Sequence, residues 1–357
     1  MKIEELQKAL SFKRALIPIL IGVGVISYIF LKKYDKADFV NYDWSSVSWL
    51  WVVIGLTVVV FRHLGYMYRI RILTDKKLTW RRSFNVISLW ELASAISPSA
   101  VGGTAVAMFI LQREKISMGR STAIAISTLF LDLLYLVLFV PILFIYLGKT
   151  EFFGENVDCI ANSEIMLLRA FGNLSVPFMV GYVILFSVAA FLAYGLFKNP
   201  LQFKVIINRL FSLPVLRKWK SSAKETGEEV VYSSRELSHK PLSFWAKAFG
   251  GTVFSWTARF FFINCLVLAF SSGVFEQVTL FARYFLLWII MVLPSTPGAS
   301  GVAELSFSGI FCQFLPNGAE PVVLVIWRLF SYYFYIILGL IILPMWLRST
   351  GKKKPTE

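Results

Sequence analysis

Charge, histidine and cysteine are all scarce in this sequence. Only 16% of its 357 residues are charged, two are histidine and three are cysteine, against 57% hydrophobic. Cys159, Cys265 and Cys312 are scattered without CxxC or metal-ligand spacing, so neither a disulfide framework nor a metal site is expected. GxxxxGK, GxSxG and HExxH signatures are missing as well, leaving the familiar nucleotide, hydrolase and zinc-protease chemistries without a carrier. No catalytic residue, cofactor or metal is predicted. His63 reads as structural.

What the chain does have is apolar length, which makes it a polytopic membrane protein. Segments 14–33, 47–68, 121–147, 174–197, 243–271 and 321–346 each approach or exceed the ~20 residues that a spanning helix needs. The first comes after a charged start, Lys2 to Arg14, without a small-residue cleavage site, and reads as a retained span. The net charge of +15 falls in loops between spans, where it reports orientation and not nucleic-acid binding. Trp44, Trp49, Trp51, Trp80, Trp245 and Trp346 lie near span ends, as interfacial anchors do.

Two further apolar segments, 84–112 and 279–315, are interrupted by proline and glycine. The first break holds Pro98, Gly102 and Gly103; the second holds Pro294, Pro297, Gly298 and Gly301. Their limbs, about 9 to 15 residues or ~13 to 22 Å, are too short for a ~30 Å hydrocarbon core. Broken backbone at that depth is tolerated where protein or a wet cavity satisfies it, and paired breaks mark binding sites in transporters.

Loop charge selects hairpins over crossings. Arg69, Arg71, Lys76, Lys77, Arg81 and Arg82 precede the first break, and nine basic residues from Lys198 to Lys240 come after the fourth full span. Both stretches belong on the cytoplasmic side, with the acidic loop 148–173 outside, only if 84–112 returns to the face it entered from. The basic C-terminal residues from Arg348 to Lys354 require the same of 279–315. The expected fold is all-α: about six full transmembrane helices plus two re-entrant hairpins in one integral membrane domain. Its halves, 1–147 and 174–346, would form an inverted repeat with both termini cytoplasmic. The basic segment 198–242 reads either as an ordinary positive-inside loop or, over 199–241, as short helices on an anionic lipid surface.

Glu91, Asp132, Arg259, Arg283, Glu304 and Arg328 fall inside apolar segments. Each costs ~2.5 to 3.5 kcal/mol near the bilayer centre, so they must face partners, water or ligand. Asp132 is either a headgroup or proton site, or the partner of Arg259. Arg259 could instead hold a phosphate with its planar fork of donors. Glu304, three residues after Gly301, suits a helix cap or a ligand-facing role. Arg328 could pair with Glu304 or meet a lipid phosphate. Arg62, near the end of its span, is expected to snorkel towards the cytoplasmic surface.

Several of these motifs resemble the flippase-like transmembrane region of lysylphosphatidylglycerol synthases. YRIRIL at Tyr68 to Leu73 is similar to the family's arginine-rich segment after the second span. Its Pro-x-x-x-Gly-Gly element is matched by Pro98, Gly102 and Gly103. Pro294, Pro297, Gly298, Gly301 and Glu304 match its second break, and Arg328, Leu329 and Tyr332 its last span. Departures occur at Thr104 and Ala107, where many relatives carry an acid and an arginine, and at Thr128 and Leu129, where a Glu-Arg pair is usual. The soluble transferase domain of bifunctional members is not expected, since the chain stops at Glu357.

The resemblance implies a plasma-membrane translocase moving a phospholipid or other amphiphile between leaflets. Asp132, Arg259, Glu304, Arg328 and Arg113 would contact its headgroup. A membrane-bound part of an aminoacyl or glycosyl transferase system, or a non-transporting assembly subunit, are the alternatives. A separate soluble enzyme or a second copy of the chain are the possible protein partners.

Overall fold

A computed structural model describes residues 10, 12–33, 36–97, 100–154, 175–198, 236–273, 276–292, 296–316 and 318–351. Among them the chain is all-helical: α1 (Phe12–Lys33), α2 (Lys36–Asn41), α3 (Trp49–Leu73), α4 (Trp80–Ile96), α5 (Ala100–Arg113) and α6 (Met118–Phe153) come first. The second part has α7 (Ser175–Ala193), α8 (Leu242–Phe270), α9 (Gln277–Ile290), α10 (Val302–Phe311), α11 (Glu320–Arg328) and α12 (Phe334–Gly351).

Among the described residues, five helical stretches are long and apolar enough to cross a membrane: Trp49–Leu73, Met118–Phe153, Ser175–Lys198, Leu242–Phe270 and Glu320–Thr350. The sixth expected span, α1, has the shorter apolar stretch Ala15–Leu31. At 1.5 Å per residue it reaches ~25 Å, the lower limit for a crossing. In α6 the backbone leaves helical geometry at Gly148 (φ 74°), which bends the end of that helix.

Opposite ends of the bundle are fixed by different polar contacts. At one end Asp75, in the α3–α4 turn, accepts from Arg120 at 2.6 Å and from Lys240 at 2.8 Å. At the other, the Tyr42 hydroxyl donates to the Phe270 carbonyl at 2.7 Å and the Ser48 amide to the Ala269 carbonyl at 2.9 Å. The α4–α5 pair opens at the first end, where Arg82 at the start of α4 lies 3.7 Å from Glu114 just beyond α5. The α9–α10 pair opens at the second end: Phe270, before α9, and Gly318, beyond α10, both sit against Tyr42. Both breaks are therefore helical hairpins, and they enter from opposite ends.

The stem of the bundle is the antiparallel packing of α3 on α8. Gly55 lies against Cys265 and Phe262, Gly65 against Ser255, and Gly251 against the Gly65 carbonyl and Tyr68. Small residues bring the backbones close where lipid supplies no hydrophobic drive for association.

Three expectations are corrected. Cys312 is disulfide-bonded, while Cys265 is free and buried. Trp346, expected as an exposed interfacial anchor, is instead buried in protein at the mouth of the first hairpin, its indole donating to Glu114 at 2.7 Å. Arg69, expected in a basic loop, is instead buried, because α3 continues to Leu73. Pro98, Pro294 and most of 199–241 lie outside the described residues.

Candidate functional site at the meeting of the hairpin tips

The two hairpin tips meet inside the bundle. Gly103 of α5 rests on Ser94 of α4 so closely that a Cβ would overlap it, which tightens the first tip. The second tip turns through Pro297–Ala299, with positive φ at Gly298 (59°), Ala299 (51°) and Gly301 (94°). Gly298 lies flat against the Tyr332 ring, leaving no room for a side chain. Tyr332 in turn donates its hydroxyl to the Ala95 carbonyl at 2.6 Å, joining the last crossing to the first tip.

Between the tips is a cavity of ≈ 290 Å³. Its walls include Ser97 from the first tip, Thr296 from the second, the rings of Trp288 and Tyr332, and three charged groups, Glu91, Arg259 and Arg328. Aromatic packing shapes one side: the Trp327 indole donates to the Tyr284 hydroxyl at 3.0 Å.

The intramembrane charges pair differently from the sequence expectation. Asp132 does not pair with Arg259; it accepts from Arg69 and, at 2.6 Å, from the Trp256 indole. Close α3–α8 packing puts Arg69 beside Thr252, to which it donates at 3.1 Å, and that places its guanidinium under Asp132. Arg259, two turns further along α8, faces Glu91 at 3.5 Å instead. Arg62 does not snorkel. It is 2% exposed, reaches both Glu91 oxygens at 2.8 Å, and lies 4.1 Å over the Tyr335 ring.

Both readings of Glu304 hold together. One oxygen accepts from the Gly301 amide at 2.7 Å, capping α10, while the other accepts from Arg328 at 2.7 Å. Glu304 is 0% exposed, while Arg328 borders the cavity. Arg328 also lies 4.6 Å over the Tyr332 ring and leads into a π turn, Leu329–Tyr333.

The other predicted residues fall elsewhere. Arg113 ends α5 beside the Phe109 ring, at the hairpin mouth and away from the cavity. Gly102 lies within α5, and Arg283 is buried against Gly154 at the C-terminal end of α6, where helix carbonyls favour a cation. Sequence reasoning gave no role to Glu91 or Trp288. An acid 29 residues after Arg62 carries no periodic signal that the two will meet.

The match to known proteins covers the hairpins, the cavity and every crossing except the end of the last. Residues 15–339 match the family described as the lysylphosphatidylglycerol synthase TM region. The chain belongs to that family. It is also 23% identical over 340 residues to a UPF0104 membrane protein of Archaeoglobus fulgidus, covering 91% of this chain and 95% of that one.

Proposed function

We propose that the protein is a lipid translocase that moves an amphiphile between leaflets through the cavity at the hairpin tips. The observation that carries this reading is the cavity's position: two hairpins entering from opposite ends terminate at one pocket that holds Glu91, Arg259 and Arg328, so a headgroup held there could be reached from either side by modest movement of either tip. This is the layout in which alternating access works in many secondary transporters, and it suits two halves related as inverted repeats. The acyl chains would remain in lipid.

The reading includes a plasma-membrane location with both termini cytoplasmic. The basic cluster around Asp75, Arg120 and Lys240 supports an inward-facing end. The disulfide-bonded Cys312, near Gly318 at the opposite end, suits an oxidising exterior.

Purified protein in liposomes, assayed for leaflet exchange of fluorescent lipids by dithionite quenching, tests the proposal. Protein-dependent exchange is expected. A flat result across phosphatidylglycerol, phosphatidic acid, phosphatidylcholine and a cationic lipid, beside a working scramblase, would overturn it.

A further inference from the structure

We infer that the cavity selects an anionic, phosphate-bearing headgroup and rejects a cationic one, an inference that rests on the translocase reading only for the source of that phosphate. Glu91 accepts from Arg62 with both oxygens. Asp132 is held by Arg69 and Trp256, and Glu304 by Arg328 and the Gly301 amide. Of the three only Glu91 lines the cavity, and a cation entering there would compete for it with Arg62 and Arg259 and weaken the pairing of a buried guanidinium, which is costly.

Arg259 is in the reverse position. Among the described residues its guanidinium makes no hydrogen bond, and its ion contact is Glu91 at 3.5 Å, a carboxylate whose two oxygens both already accept from Arg62. Two guanidiniums thus share one carboxylate, and a positive charge is left uncompensated at the cavity wall. Arg259 is 18% exposed and lines the pocket, held with the Trp256 ring 5.0 Å away. A planar fork of free donors in a low-dielectric pocket matches phosphate oxygens, and the hydroxyls of Ser97 and Ser331 on the same walls can add to it.

The test is equilibrium binding to the full-length protein in nanodiscs, read by quenching of tryptophan fluorescence with brominated lipids. Brominated phosphatidylglycerol and phosphatidic acid are compared with a brominated cationic lipid, and inorganic phosphate serves as competitor. The anionic lipids should bind at least about tenfold more tightly than the cationic one, and Arg259→Gln should remove most of that preference, as loss of a charge-assisted contact implies. Equal or tighter binding of the cationic lipid by the wild-type protein, with no competition by inorganic phosphate, overturns the inference without any variant. So does an unchanged preference in Arg259→Gln protein of wild-type melting temperature.

Displacement by millimolar inorganic phosphate with no lipid preference identifies free phosphate as the ligand, upholding the anion site and sinking lipid transport. Anion-selective lipid binding without leaflet exchange upholds this inference and overturns translocation. Exchange that favours the cationic lipid does the opposite.

Discussion

Tyr332 and Ala95, 237 residues apart, are joined by a 2.6 Å hydrogen bond from the phenol to the backbone carbonyl at the tip of the first hairpin. The same Tyr332 ring supports Gly298 at the tip of the second. A single side chain therefore registers both tips against the last crossing.

Tyr332→Phe should loosen that register while preserving the ring. A buried carbonyl left without its donor costs about 1 to 3 kcal/mol. Hydrogen exchange in nanodiscs should accelerate in the segment around Ala95 more than in α8. Uniform exchange in wild-type and variant would show that the bond holds nothing in place.

The Glu304–Arg328 pair offers a double-mutant cycle. Arg328→Met alone leaves a fully buried carboxylate and should cost about 3 to 5 kcal/mol. Combining it with Glu304→Gln, whose amide oxygen can still accept from the Gly301 amide, should recover at least ~1 kcal/mol relative to the sum of the single changes. Unfolding titrations in detergent measure this, and strict additivity would count against a coupled pair.

Small residues at the α3–α8 contact should be intolerant of size. Gly65→Leu would collide with Ser255 and its backbone amide, whereas Gly24 of α1 has open space where its Cβ would be. Overpacking costs typically ~1 to 3 kcal/mol, so Gly65→Leu should lower the melting temperature by several degrees and Gly24→Leu should not. Similar loss in both would place the effect in membrane insertion.

Orientation is testable with single cysteines at two exposed positions at opposite ends of the bundle. Ser45→Cys should react with an impermeant maleimide on intact cells, and Lys76→Cys only after permeabilisation. The reverse pattern would invert the assignment.

The architecture was legible in the sequence because its signals are long and additive. Apolar runs set the crossings, and charge parity around Arg69 to Arg82 and Lys198 to Lys240 forced 84–112 to turn back, even though Arg69 itself proves to be buried. Glu304 was legible for a local reason, since its spacing from Gly301 is that of a helix cap. The pairing of charges was not. Whether Asp132 meets Arg69 or Arg259 depends on how far α3 slides along α8, which is set by the glycine contacts at Gly65 and Gly251 and leaves no trace in spacing along the chain. Arg62 misled because a position near a span end suggests snorkelling, and nothing local reveals that Glu91 will arrive beside it.

The π turn after Arg328 makes this site a matter of chain length as well as chemistry. Its i→i+5 bonding accommodates one more residue than an α-helical turn, and Arg328 comes to lie over the Tyr332 ring. Deleting Phe330 would keep every polar side chain of the site. It would also close the bulge to an α-helical turn, re-aiming Tyr332 within that turn and away from Ala95 while Arg328 stayed on Glu304. In this helix an indel is as consequential as the loss of a charge.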